Sequence, residues 1–444
     1  MGNDSSKIDF DYILKRYLPD QNEKRFKEQL SEEIIREVNR KLKEDGIDGD
    51  SILVGSQSRG TELRNSDLDI FIRFSKAYSK EEMEKIGVNI GFDVLPDGVA
   101  KYAEHPYVSG KLQGVKIDIV PCYKVEMNST IISSVDRTPL HTVYMRKVMD
   151  EKMRKESVLL KLFMKRQGIY GSELKTSGFS GYVCELIIRE FKTFENFIEH
   201  VSSLRGRLII GSREMTGRFN SPVVIIDPVD EQRNAAAAVN ETNLSVLKVA
   251  SKFYLNNPDQ FYFTYDEYVD IEIKKARESY IAILRFERPD IIEDILFPQL
   301  DLARKSVINL CTSKGFHYLN SYVTLSSDYM DILIELEEGI LAKFEKREGP
   351  PAENPNSVSF INKYRDSKMK RRGPYINNER VYFDIYREEV KFTKILRNNL
   401  DKLNFGHNIN QIKSSMKIID SWNRIKDEKT YEEFMKFSSP VLPP

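Results

Sequence analysis

Two stretches decide the fold of this chain: ILVGS at residues 52–56 and, after ten intervening residues, DLDIFI at residues 67–72. The apolar runs in both are rich in β-branched and aromatic residues, which predicts two strands joined through the Gly-Ser pair. Side chains at positions i and i+2 of a strand point to the same side, so Asp67 and Asp69 should direct two carboxylates at one point. Carboxylate oxygens placed in this way are ligands that suit Mg²⁺.

The Gly-Ser pair beside these acids has the composition of a phosphate-binding turn. Gly55 allows the backbone to pass close to a ligand, and Ser56 can donate from its amide and its hydroxyl to phosphate oxygens. A phosphate cradle next to a magnesium site is typical of phosphoryl or nucleotidyl transfer.

A third acid, Asp118, lies in the apolar run VKIDIVP at residues 115–121, which predicts a buried strand that ends at Pro121. A lone carboxylate is costly to bury in such a strand, and a metal held by Asp67 and Asp69 would compensate its charge. The alternative is that the first two acids face solvent beside a turn, while the third faces out from an edge strand.

The Gly-Ser pair, the Asp-x-Asp and the later strand acid together resemble the catalytic signature of the polymerase-β-like nucleotidyltransferases. Four further blocks resemble the archaeal, class I CCA-adding enzymes: YAEHPYV at 102–108, VDRTP at 135–139, GFSGYVCEL at 178–186 and DPVDEQRN at 227–234. That family builds the C-C-A 3′ end of tRNA without a nucleic-acid template. The resemblance covers essentially the whole chain and implies CTP and ATP as substrates, tRNA as partner and Mg²⁺ as cofactor.

The resemblance also implies a set of nucleotide contacts. The matched triphosphate positions, with Thr138 in an assisting role, are Ser56, Thr138, Arg59, Lys161, His141 and Tyr170. Taken singly, the charged and aromatic members have ordinary alternatives: a surface arginine, a helix-face lysine, a structural histidine and a packed tyrosine. Arg233 matches the arginine implicated in reading the incoming base, and His105 is expected near the nucleotide or primer, or else to be structural. Some members carry Glu where this chain has Asp67, which changes reach and leaves the chemistry unaltered.

The order of predicted helices and strands indicates an α+β, multidomain protein. The clearest helix has apolar residues every four positions from Phe26 to Leu42 and ends at Gly46, and residues 345–378 have the composition of a polar loop. With the resemblance, residues 1–150 are predicted to form a nucleotidyltransferase catalytic head and residues 151–270 a neck that recognises the nucleotide. The body is predicted in two parts, 271–325 and 392–444, and the tRNA-binding tail lies between them at 326–391.

Composition bounds the other possibilities. Among 444 residues, 68 Lys and Arg balance 68 Asp and Glu, so an RNA-binding surface must be local, and the basic stretch 363–372 is either such a surface or a solvated loop. No run is long and apolar enough for a membrane span, and the N-terminus lacks the order of a signal peptide. Three scattered cysteines indicate buried thiols in a reducing cytoplasm. The sequence does not give the oligomeric state, although the resembled family tends to form homodimers.

Two rival functions remain. A template-independent poly(A) polymerase or an oligoadenylate synthetase would share the three acids, but the neck blocks and Arg233 favour C-C-A addition. An inactive RNA-binding relative would be expected to lose an acid or the Gly-Ser pair, and this chain keeps all of them.

Overall fold

The computed structural model describes residues 8–102, 105–127, 129–264 and 279–438. The chain divides into two compact units, Met1–Val269 with Pro440–Pro444, and Asp270–Ser439. The predicted boundary between residues 270 and 271 lies outside the described residues, as do Ala103 and Glu104 of the 102–108 block.

The first unit begins with helices and strands that form the predicted head. In chain order they are α1 Phe10–Tyr17, α2 Gln21–Glu44, β1 Gly49–Val54, α3 Gly55–Arg59, β2 Leu68–Phe74, α4 Lys80–Val94, β3 Val99–Tyr102, β4 Pro106–Leu112 and β5 Val115–Tyr123. Asp20 caps α2 by accepting from the amide of Glu23, and Ser79 and Glu82 form a reciprocal capping box on α4. The four-residue spacing buries the α2 side chains from Leu30 onward, whereas Phe26, expected on the same face, is 38% exposed.

The strands of the head form one sheet with the order β1-β2-β5-β4-β3. The central strands β2 and β5 run parallel, in a register that places Asp69 opposite Asp118. The prediction that Pro121 ends β5 was wrong, because the strand continues to Tyr123. Strand β4 pairs with β5 only as far as Ile119, so at Pro121 the strand has a neighbour on the β2 side alone. The absent N–H of the proline therefore costs no hydrogen bond to β4.

The rest of the first unit is mainly helical. Its elements are α5 Arg137–Val148, α6 Glu151–Arg166, α7 Gly181–Phe191, α8 Phe194–Ser203, β6 Leu208–Ile210, α9 Arg213–Thr216, β7 Val223–Asp227, β8 Asp230–Asn234 and α10 Glu241–Asn256. Residues 157–164 of α6 and 183–188 of α7 are buried on all sides, in a core that also takes in Phe194, Tyr254 and Phe263. The apolar run at residues 223–226, before Asp227, forms most of β7, which pairs with β6 and β8.

The second unit contains two sheets, ordered β10-β11-β9-β15 and β12-β14-β13. Its elements are β9 Tyr280–Glu287, α11 Glu293–Lys314, β10 Tyr318–Leu325, β11 Tyr329–Leu336, β12 Phe344–Pro351, α12 Asn356–Arg365, β13 Lys370–Asn377, β14 Arg380–Tyr386, α13 Phe392–Asn399, α14 His407–Ile412, β15 Lys417–Ile419, α15 Trp422–Ile425 and α16 Lys429–Ser438. The predicted polar loop at 345–378 was wrong, because this segment forms most of the second sheet and its helix. The basic stretch 363–372 accordingly lies at the end of α12 and in the exposed strand β13.

The three cysteines are buried and form no disulfide. Burial raises the pKa of the Cys184 thiol and of the Cys311 thiol to about 12, and raises that of Cys122 well above its usual value. No helix in the described part of the chain combines the length and the apolar character that crossing a membrane requires.

Candidate active site

The three predicted acids lie together at one end of β2 and β5. Asp67 precedes β2, Asp69 is its second residue, and Asp118 is the cross-strand partner of Asp69. Burial, followed by the negative charges of Asp118 and Asp67, raises the pKa of Asp69 to about 6. Asp69 therefore lies within electrostatic reach of both other carboxylates.

A lysine that the sequence did not single out lies among these acids. The ammonium of Lys116 donates to Oδ2 of Asp67 and lies 3.4 Å from Oδ2 of Asp118, since positions 116 and 118 share one face of β5. The Lys116 side chain is 38% exposed, so its ion pairs are partly solvated. A strand lysine two residues before an acid is a signal that could have been noticed.

The chemistry of this cluster fits a divalent cation. With the side chains as they stand, no set of three or more His, Cys, Asp or Glu residues in the described ranges is arranged to hold a metal ion. However, Oδ1 of Asp118 is buried with no hydrogen-bond partner among the described residues, and Asp69 is a buried carboxylate on which the charges of Asp118 and Asp67 also act. Three carboxylates supply hard oxygen donors, and the residues at 67, 69 and 118 would be the ligands.

Gly55 fits closely against this cluster. The predicted turn is a junction at which β1 ends and the short helix α3 begins, and Gly55 has φ +74° there. A Cβ atom at this position would lie 2.2 Å from Oδ2 of Asp69, closer than non-bonded atoms can approach. Glycine is therefore required both by the backbone conformation and by the carboxylate beside it, and Ser56 follows at the start of the helix.

Glu185 on α7 joins two of the predicted triphosphate contacts. Its Oε2 accepts from Nε of Arg59 at 2.7 Å, and its Oε1 accepts from Nζ of Lys161 at 3.1 Å and from the Thr61 hydroxyl at 2.5 Å. Burial opposes ionisation, but the charges of Arg59 and Lys161 hold the pKa of Glu185 at about 2. Lys161 also donates to the carbonyl and hydroxyl oxygens of Thr61, so its three N–H groups are all engaged.

Asp227, at the end of β7, joins a second pair of predicted residues. Its Oδ2 accepts from Nη1 of Arg233 at 2.7 Å and lies 2.8 Å from Nε2 of His141, while Tyr182 donates to Oδ1 at 3.0 Å. The rings of His141 and Tyr182 stack with centroids 3.8 Å apart. Burial lowers the pKa of His141, so the imidazole is neutral at neutral pH and Nε2–H donates to the carboxylate.

The Arg59 guanidinium connects these groups electrostatically. Its charge acts on the carboxyl group of Asp69, the imidazole of His141 and the phenol of Tyr170, so it lies within reach of all three. The Tyr170 hydroxyl in turn lies close to Gly181, where a Cβ atom would be 2.9 Å from it.

Two predicted residues have contacts away from this group. Nδ1 of His105 lies 2.7 Å from Oε1 of Glu84 on α4, and its Nε2 is buried with no partner among the described residues. Thr138, at the start of α5, accepts at its backbone carbonyl from the Thr142 hydroxyl. The described contacts link neither residue to the three acids.

The two carboxylates that organise the site were missed as functional residues. Glu185 and Asp227 both lie in blocks quoted from the sequence, and each follows or ends an apolar run, as in CELII and VVIID. A charged residue inside an apolar element is rarely buried without a partner, which is the signal that could have identified them.

This sheet with its acids defines a nucleotidyltransferase head, and a family model described as a nucleotidyltransferase domain matches residues 32–141. Two further family models follow along the chain. The second domain of tRNA nucleotidyltransferase matches residues 155–264, and the C-terminal domain of the CCA-adding enzyme matches residues 277–421.

Relatives match over nearly the whole length. A CCA-adding enzyme of Picrophilus torridus is 44% identical over 413 residues, covering 93% of this chain and 95% of that protein. The CCA-adding enzyme of Thermoplasma volcanium is 39% identical, with 93% of each chain covered. That of Haloarcula marismortui is 34% identical, with 86% of this chain and 87% of that protein covered. The chain belongs to the family of CCA-adding enzymes.

Solved structures give weaker similarities. The structure of E. coli MS115-1 CdnC with ATP aligns with a TM-score of 0.45 and 18% identity, over 57% of this chain and 91% of that one. A cytoplasmic RNA terminal U-transferase aligns with a TM-score of 0.43 and 14% identity, over 59% and 98%.

Proposed function

We propose that this chain adds and repairs the 3′-terminal C-C-A sequence of tRNA, using CTP and ATP and releasing pyrophosphate. The observation that carries the proposal is the parallel register that sets Asp69 opposite Asp118, with Gly55 against the Asp69 carboxylate. Near full-length similarity to CCA-adding enzymes supports this substrate choice over poly(A) or oligoadenylate synthesis.

In the proposed reaction the tRNA 3′-hydroxyl oxygen attacks the α-phosphorus, and the bond from that phosphorus to the pyrophosphate oxygen breaks. Asp67, Asp69 and Asp118 would hold Mg²⁺, which when bound would polarise the hydroxyl and neutralise charge on the phosphates. Asp69 and Asp118 come from adjacent strands of a rigid sheet, so their geometry is fixed before substrate binds. Lys116 would have to move from between Asp67 and Asp118 to admit a cation there.

The proposed triphosphate site lies beside these acids. Ser56 would donate at the start of α3, and Arg59 would direct its terminal amines at the phosphates, because Glu185 accepts from its Nε. Lys161 would contribute its positive charge from its buried position beside Glu185. A direct contact with phosphate would require Lys161 to give up one of its present hydrogen-bond acceptors. Tyr170 is proposed to line the same site.

The proposed base-reading group is centred on Asp227. The Arg233 side chain is 36% exposed, so part of its guanidinium can face a nucleotide while Nη1 remains bound to Asp227. A guanidinium donates two parallel hydrogen bonds, which suits acceptors on the edge of a base. His141, held by the same carboxylate, would support this group, with Thr138 on the same helix. His105 is proposed to lie near the primer.

The remaining proposals concern domains and assembly. The head, neck, body and tail are proposed at the predicted boundaries, with the exposed basic residues of β13 in the tail available for tRNA phosphates. A homodimer is proposed from the resemblance, and light scattering would distinguish it from a 51.7 kDa monomer.

The deciding experiment uses tRNA transcripts that lack one, two or three 3′ nucleotides, incubated with Mg²⁺ and labelled CTP or ATP. We expect CTP alone to extend the shortest transcript by two residues and ATP alone to extend only the transcript that ends in C-C. Unlimited addition of A would establish the rival polymerase activity. Tight tRNA binding without Mg²⁺-dependent incorporation would establish the inactive RNA-binding alternative, and an Asp118→Asn protein is the matched negative control.

A further inference from the structure

Glu185 is placed as a shared anchor for two cations. It lies in the middle of α7, is fully buried, and uses both carboxylate oxygens, one on Arg59 and the other on Lys161 and Thr61. These partners come from α3, from α6 and from the segment after α3, and the Arg59 pair joins residues 126 positions apart in sequence.

The pairing does more than neutralise a buried charge. Two cations share one carboxylate, so the cluster keeps a net positive charge, and Lys161 is only 1% exposed. Arg59 is bound to Glu185 through Nε, the inner nitrogen of its guanidinium, which restricts the plane of the group without engaging its terminal amines on Glu185. A planar fork held in this way binds phosphate without first losing side-chain freedom.

We infer that Glu185 is a positioning residue for triphosphate binding, acting through Arg59 on CTP and ATP alike. This inference rests on the proposed function, because it takes Arg59 as a triphosphate contact. Since the triphosphate is common to both nucleotides, loss of Glu185 weakens both equally and leaves the choice of base unaltered. Asp227 provides the contrast, because its partners Arg233 and His141 form the proposed base-reading group.

The test measures dissociation constants of non-hydrolysable CTP and ATP analogues in the full-length protein. Glu185→Gln keeps the shape of the side chain and removes its charge, and we expect both constants to rise about tenfold by the same factor. Asp227→Asn is the matched control: it removes one buried carboxylate charge by the same isosteric change, and it should alter the ratio between the two analogues.

A double-mutant cycle with Arg59→Ala separates positioning from general structural damage. If Glu185 acts through Arg59, then Glu185→Gln produces no further weakening in the Arg59→Ala background. An equal further loss in that background would overturn the inference, as would a folded Glu185→Gln protein that binds both analogues normally. If Arg59→Ala itself leaves binding unchanged, the proposed triphosphate contact fails as well, which distinguishes the two failures.

A milder variant covers the case in which Glu185→Gln does not fold. Thr61→Val retains all three charges and removes the 2.5 Å hydrogen bond to Glu185, together with the hydrogen bond that the same hydroxyl accepts from Lys161. It should weaken both analogues equally, by a smaller factor, and normal binding by this folded variant would overturn the inference.

Discussion

Replacing Gly55 with alanine should disable the catalytic site while leaving the fold nearly intact. The added Cβ would lie 2.2 Å from Oδ2 and 3.2 Å from Cγ of Asp69. To reach ordinary contact the carboxylate oxygen must retreat by about 1 Å, and a displacement of that size at a reacting centre costs on the order of 10²-fold in rate. We therefore expect kcat to fall about a hundredfold.

The backbone cost of this substitution can be matched by a control. Gly55 has φ +74°, and Gly114, in the turn between β4 and β5, has φ +82° with no atom within 4 Å of an added Cβ. Alanine in this left-handed conformation costs about 1–2 kcal/mol, so both variants should lose a few degrees of Tm. Only Gly55→Ala should also lose activity.

The assay is single-turnover addition of CTP to a tRNA transcript that lacks the C-C-A end, together with thermal unfolding of both variants. Full activity of both Gly55→Ala and Gly114→Ala would refute the argument that Gly55 is required by the Asp69 carboxylate. The same reduction of activity in both variants would refute it too, because backbone strain alone would then explain the effect.

Three further predictions follow from the site. Arg233→Ala should still add nucleotide but discriminate C from A poorly in single-nucleotide assays, and a uniform loss of incorporation would instead make Arg233 a phosphate or folding residue. Lys116→Met should bind Mn²⁺ about tenfold more tightly in titration calorimetry, because the competing ammonium is gone; Lys111→Met, its cross-strand neighbour, removes the same charge without that contact, and an equal effect would contradict direct competition. In urea unfolding, Glu185 alone should account for a loss on the order of 3 kcal/mol between pH 5 and pH 2, because its pKa is held near 2 in the fold and rises on unfolding, so that the unfolded chain takes up the proton first. Asp227, whose pKa is also held at about 2, adds to the loss in the wild-type protein; Glu185→Gln should show a shallower dependence, and identical pH profiles would show that the Glu185 carboxylate does not contribute.

The strands that carry the acids were predictable because their signal is local. Apolar residues on both sides of the Gly-Ser pair indicated β1 and β2, and the structure has them at Gly49–Val54 and Leu68–Phe74. The order of the strands in the sheet, by contrast, depends on pairing between distant segments. The parallel pairing of β2 with β5 joins segments about fifty residues apart, and no periodicity within either segment specifies it.

The exposed strand β13 of the second unit was missed for a physical reason. Strand β13, KRRGPYIN, has charged or polar residues at most positions, and most of its side chains are exposed. Alternation between an apolar and a polar face, which normally reveals a strand, is therefore absent, and composition alone suggested a loop. The pairing of Arg59 with Glu185 was hidden for another reason: the two residues lie 126 positions apart, so the apolar surroundings of Glu185 indicate a buried carboxylate but do not identify its partner.

The buried cysteines have a practical consequence for following the enzyme through successive additions. Each native thiol is inaccessible and is held protonated by burial, so maleimide dyes should not react with the folded wild-type protein. A cysteine introduced at Glu32 in the first unit and another at Lys305 in the second, both exposed, would carry the only fluorophores. Energy transfer between them could then report, without a cysteine-free background, whether the distance between the units changes from one added nucleotide to the next.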